Sequence, residues 1–181
     1  DARLCWIGTN RIAYDYSTPS LSVDNHMICA LNYKSKLYFL DATETYIGFD
    51  EYAERIQGRQ VLIEDGDKYM LEKVPLRTSL QNTDYEKKVV EINGTSLIGK
   101  VEHTFNGESR EWLLTKLHGM KKDRLSAALE SYLSEGRKKY TITDLKTSAL
   151  NNEDAALTIT YQLNHTDAVA SFGDELYIDF D

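Results

Sequence analysis

Short runs of alternating apolar and polar residues dominate the chain, and they predict strands. Residues 4–8 (LCWIG) form a short apolar strand candidate. Residues 26–33 (HMICALNY) and 36–41 (KLYFLD) read as two strands joined at Lys34-Ser35. Residues 60–63 and 68–71 flank EDGD, a turn signal, and predict a second hairpin. Further on, 86–93 and 95–105 are strands around Asn93-Gly94, a strong hairpin cue. In ALTITYQL, Leu157, Ile159, Tyr161 and Leu163 alternate with polar or small residues, the mark of a half-buried antiparallel strand. Strands are also expected over 138–150 and 175–180.

Helical spacing is concentrated in one region, about 109–135. Ser109 can cap a helix carrying Trp112, Leu113, Leu114 and Leu117 that ends near Gly119. Asp123 starts a second, with Leu125, Ala128, Leu129, Tyr132 and Leu133 on one face and Gly136 at its end. Such apolar stripes are what core-facing helices show. Residues 49–56 predict one helical turn. Two stretches lack a period: 10–23, a long exposed loop of the kind that often serves function, and 76–84 (LRTSLQNTD), where a domain boundary is placed. The expected class is α+β, with an antiparallel sheet in domain 1–77 and a mainly antiparallel, sandwich-like β domain carrying the helix pair in 78–181.

The first hairpin brings two chemically useful residues together. A two-residue turn at Lys34-Ser35 pairs Tyr33 with Lys36, and this register sets Ile28 opposite Asp41. Side chains alternate faces with period two, so His26 shares a face with Ile28 and with Asp41. The two are diagonal neighbours, roughly 7–8 Å apart at the backbone. A carboxylate on one ring nitrogen fixes a histidine's tautomer and leaves the other nitrogen free to act as a base. The same parity turns Met27, Cys29 and Leu31 to the opposite face, expected to be the core side, and so removes Cys29 from His26. Cys5 lies in a strand rather than at a helix start, where reactive thiolates are favoured. Neither cysteine reads as a nucleophile, and both are expected to be buried free thiols.

Composition narrows the partners. The 181 residues carry a net charge of −8, spread evenly on either side of Pro75, with no cationic run. Nucleic acid is therefore not an expected partner. No apolar run reaches membrane-spanning length, so membrane insertion is not expected. His103, His118 and His165 lack metal-ligand spacing, and no phosphate-binding glycine loop occurs. No cofactor and no metal is indicated. Asp65-Gly66-Asp67 reads as a plain turn, and the Asn-X-Thr patterns at Asn93 and Asn164 are too short to carry weight.

Four words occur in order: WIGT (6–9), DNHMICAL (24–31), YFLDAT (38–43) and RIQGR (55–59). Together they resemble the C-terminal half of the transglutaminase-like core of large bacterial proteins, a papain-like group that uses cysteine, histidine and aspartate or asparagine. The resemblance covers about residues 2–75 and implies that His26 and Asp41 are the catalytic base and its orienter. It also implies a trailing β-rich domain in the remainder, an exported setting (periplasmic or cell surface), and a peptide or protein substrate. The group's cysteine sits at the start of a helix upstream of the strand equivalent to 4–8. The chain begins at Asp1 without that helix, so it reads as a piece of a cysteine protease, amide hydrolase or acyl transferase. Its thiol would come from an upstream part of the same polypeptide, and it would be inactive alone. Asn25 and the 10–23 loop are expected to line the cleft. The alternative is a non-catalytic binding or structural module with a degenerate core.

Overall fold

The computed structural model describes residues 1–13 and 16–180. Part of the predicted 10–23 loop, residues 14 and 15, lies outside the described residues. The protein is α+β, built from antiparallel sheets with, among the described residues, two α-helices. It divides into two compact units, Asp1–Asn82 with Glu153–Ala155, and Thr83–Asn152 with Ala156–Asp181.

The first unit is a five-stranded sheet in the order β3-β2-β1-β4-β5. Its strands are β1 (Ala2–Ile7), β2 (His26–Tyr33), β3 (Lys36–Leu40), β4 (Gln60–Asp65) and β5 (Lys68–Lys73). β1 is the centre, paired antiparallel with both β2 and β4. Its core face carries Cys5 and Ile7, continued by Ile28 and Ala30 on β2, Phe39 on β3, and Val61 and Ile63 on β4. Tyr52, Ala53, Ile56 and Val74 close over that face. Where residues 49–56 predict a helical turn, the chain forms a 3-10 turn at Glu54–Ile56, and its buried Ile56 plugs the core.

One expectation is overturned here. Met27, Cys29 and Leu31 do not face the core. Ile28 and Ala30 do, 5% and 1% exposed, while Met27 is 51% exposed. Both rows of this strand are apolar, so alternation alone could not choose between them. The segment bearing Tyr52, Ala53 and Ile56 chooses, by covering the His26 side.

The second unit holds a four-stranded sheet in the order β6-β7-β9-β8 and a separate two-stranded ribbon. The sheet strands are β6 (Asp84–Asn93), β7 (Ser96–Phe105), β8 (Tyr140–Thr147) and β9 (Leu157–His165). The ribbon is β10 (Val169–Phe172) and β11 (Glu175–Ile178), of which the alternation had indicated only the second. Along β9, Leu157, Ile159, Tyr161, Leu163 and His165 are all buried. Helices α1 (Glu108–Leu117) and α2 (Lys122–Leu133) lie in this unit and bury Leu113, Leu114, Leu117, Leu129 and Leu133. Tyr132 of α2 meets Phe105 of β7 with ring centroids 6.2 Å apart. Helix α2 thus meets Phe105 of the sheet, and Trp112 of α1 meets Tyr132 in turn, with ring centroids 5.7 Å apart. Ser109 lies inside the first turn of α1, and Gly107 takes the capping position at φ 58°. No described helix is long and apolar enough to cross a membrane.

Candidate functional site

The site begins with a tight turn. Lys34 and Ser35 both adopt the left-handed backbone region, φ 50° and 61°. This is the two-residue geometry whose twist matches antiparallel strands. It fixes the ladder from Tyr33↔Lys36 to Cys29↔Leu40. Asp41 follows β3 directly, and His26 opens β2 opposite Ile7 of β1.

Asp41 folds back on its own turn. Its Oδ1 accepts from the Thr43 amide at 3.1 Å and from the Thr43 hydroxyl at 2.7 Å. Aspartate commonly closes turns this way. Its Oδ2 accepts from His26 Nε2 at 2.8 Å and from Arg55 Nη2 at 2.9 Å. Four donors therefore converge on one carboxylate whose side chain is only 3% exposed. Burial pushes the Asp41 carboxyl up, but the His26 and Thr43 hydrogen bonds outweigh it and hold the group below the ordinary aspartate range.

An ionised carboxylate can only accept, so Nε2 carries a hydrogen and neutral His26 keeps its lone pair on Nδ1. Nδ1 has no hydrogen-bond partner among the described residues, and the side chain is 15% exposed. The arrangement can take a proton from a nucleophile at Nδ1, hold the resulting imidazolium, and return the proton.

The sequence brought His26 and Asp41 together, and the structure places them in contact. It did not single out Arg55. The two arginines of RIQGR have separate partners. Arg55 binds Asp41, Thr43 and Glu44. Arg59 ties the 8–12 segment, donating to the Gly8 carbonyl at 2.6 Å and the Ile12 carbonyl at 2.9 Å. Asn25, expected at the cleft, is bound on both sides to Thr9: it accepts from the Thr9 amide at 2.9 Å and donates to its hydroxyl at 3.0 Å. Its amide thus serves to fasten the loop. Tyr16 does the same, its hydroxyl lying 2.6 Å from the Asp24 carboxylate and 3.0 Å from the Trp6 carbonyl and sharing its one hydrogen between them.

Both cysteines are free thiols. Cys5 lies on the His26 face but is fully buried, and burial pushes its thiol up to about 12. A thiol so disfavoured as thiolate is a poor nucleophile. Cys29 is on the opposite face and only partly buried. It lines a cavity of about 520 Å³ together with Leu40, Ala42, Ile47 and Phe49. His165 is buried in its strand against Tyr140, and burial lowers its basicity. Among the described residues no group of three or more His, Cys, Asp or Glu side chains could hold a metal ion. No family model, curated protein or solved structure matches the chain.

Proposed function

We propose that His26 and Asp41 are the base-and-orienter half of a cysteine-type acyl-transfer site. It would be of the transglutaminase-like, papain-like kind and act on a peptide or protein substrate as an amide hydrolase or acyl transferase. One observation carries the reading: Asp41, buried and saturated with donors, fixes Nε2 of His26 and leaves Nδ1 unpartnered among the described residues. In the reaction, Nδ1 accepts the proton of a thiol as the sulfur attacks the carbonyl carbon. The imidazolium, held by Asp41, then protonates the departing amine. The buried Cys5 and the averted Cys29 make neither a candidate for that thiol. In this reading another part of the polypeptide, preceding β1, contributes it, and the protein works outside the cytoplasm.

The experiment compares two polypeptides with fluorogenic peptide amides. The 181-residue chain alone should show no turnover. A longer polypeptide bearing a cysteine at a helix start before β1 should turn over, and His26→Ala should cut its rate by about 10³-fold or more. Turnover by the chain alone, or a longer polypeptide indifferent to His26→Ala, sinks the proposal.

A second reading is a non-catalytic module. The observation favouring it is the same saturated carboxylate, which links the β2–β3 hairpin to the Glu54–Ile56 turn through Arg55. An inert longer polypeptide with an intact fold supports that reading.

A further inference from the structure

The ion pair on the far side of Asp41 has no part in the proton transfers above, yet it shares their key atom. Oδ2 of Asp41 accepts from His26 Nε2 and, at 2.9 Å, from Arg55 Nη2. The same Nη2 donates to the Thr43 hydroxyl at 3.0 Å, and that hydroxyl donates to Asp41 Oδ1 at 2.7 Å. Arg55, Thr43 and Asp41 therefore close a ring that fixes the carboxylate's plane. The other arm of the guanidinium, Nη1, meets Glu44. Arg55 itself projects from a held segment. Its carbonyl accepts from the Asn10 amide at 2.7 Å, and its neighbours Ala53 and Ile56 are core residues.

Without Arg55, Thr43 would still hold Oδ1, but the one donor left on Oδ2 would be His26, the group it is meant to orient. A buried carboxylate also needs compensation for its lost hydration, and an adjacent cation supplies it. Among the described residues the charged groups linked to His26 are Asp41 and, through it, Arg55 and Glu44. β1 presents uncharged Ile7 opposite His26, and Asp24, two residues earlier, is engaged by Tyr16.

Building on the base-and-orienter reading of His26 and Asp41, we propose that Arg55 is a positioning residue. Its bond to Oδ2 adds to those of Thr43 and His26 in favouring the carboxylate and holds Oδ2 on Nε2, so that His26 presents Nδ1 in a single tautomer. Glu44 holds the guanidinium in place and tempers its charge.

The test is nuclear magnetic resonance on the 181-residue chain, following the Asp41 carboxyl by ¹³C and the His26 ring by ¹⁵N. Arg55→Gln should raise the Asp41 titration midpoint by about one pH unit. It should also mix the two His26 tautomers. Arg55→Lys should keep the midpoint near its native value while loosening the tautomer preference, since lysine is a point charge without the planar fork. Glu44→Gln, which frees Arg55 for Asp41, should move the midpoint further down. A folded Arg55→Gln chain with an unchanged midpoint and one tautomer overturns the proposal. Should Arg55→Gln unfold the first unit, an Asp41 midpoint that is unchanged or raised in Glu44→Gln overturns it instead. None of these readouts needs turnover, so failure here is distinct from failure of the proposed reaction.

Discussion

His26 meets Asp41 across the β2–β3 hairpin, and His103 meets Asp84 across β6–β7. Both histidines have side chains 15% exposed, and both bond through Nε2. The carboxylates differ. Asp41 is 3% exposed and receives four hydrogen bonds, whereas the Asp84 side chain is 47% exposed. The second nitrogens differ too. Among the described residues His103 Nδ1 is buried without a hydrogen-bond partner, 3.9 Å from a Glu86 oxygen, and the ring is stacked on Phe105. Glu86 is itself engaged by Lys88 and Tyr161. Contact between a histidine and an aspartate across neighbouring strands is thus not by itself distinctive in this molecule. What sets the first pair apart is a desolvated, fully satisfied carboxylate behind the ring.

The sharpest way to break this comparison is to delete each carboxylate. Asp41→Ala removes the buried acceptor of His26 Nε2, while Thr43 and Arg55 can turn to water and to Glu44, and should cost about 1–3 kcal/mol. Asp84→Ala removes a half-exposed partner and should cost under about 1 kcal/mol. Urea unfolding can separate the two, because Trp6 reports on the first unit and Trp112 on the second. Equal losses would mean that the buried and the half-exposed carboxylate matter alike.

Acid gives a second, smaller effect. A carboxyl held below its ordinary range binds fewer protons folded than unfolded. Its stabilisation is therefore present above the unfolded value, about pH 4, and is lost as pH falls through the lower folded value. Asp41 behaves so through His26 and Thr43, and Asp50 through Lys36 and Tyr52, each against the cost of burial. The first unit should lose stability below about pH 4 as read by Trp6. Asp41→Asn should make that slope shallower, and an unaltered slope would deny Asp41 its part.

The smallest effect concerns the turns. Lys34-Ser35 holds two non-glycine residues at positive φ, while the β6–β7 turn has Gly94 at φ 62°. Replacing Lys34 by Asn together with Ser35 by Gly should stabilise the first unit by about 0.5–1 kcal/mol. Gly94→Ala should weaken the second by about 1 kcal/mol. Thermal unfolding of both variants checks the contrast.

The sequence made the hairpin register legible because one short turn fixes every pair beyond it, His26 and Asp41 included. Alternation in β9 and the leucine spacing of α1 and α2 were equally plain. The core face of β2 was not, because Met27, Cys29 and Leu31 are as apolar as Ile28 and Ala30. Arg55 escaped notice for a related reason: nothing local marks an arginine as the partner of an aspartate fourteen residues away, and only the folded 53–56 segment delivers it. The β10 strand is four residues long, too short for a period to show.

The two thiols differ enough to be told apart chemically. Cys5 is sealed in the core with its ionisation suppressed, and Cys29 opens onto a cavity that Asp41 also borders. A maleimide reagent at neutral pH should therefore attach once to the folded molecule and twice to the denatured one. The ratio of singly to doubly tagged chains, read by mass, becomes a count of native first units. A dye carried by Cys29 becomes a local reporter beside Asp41, installed without changing a residue.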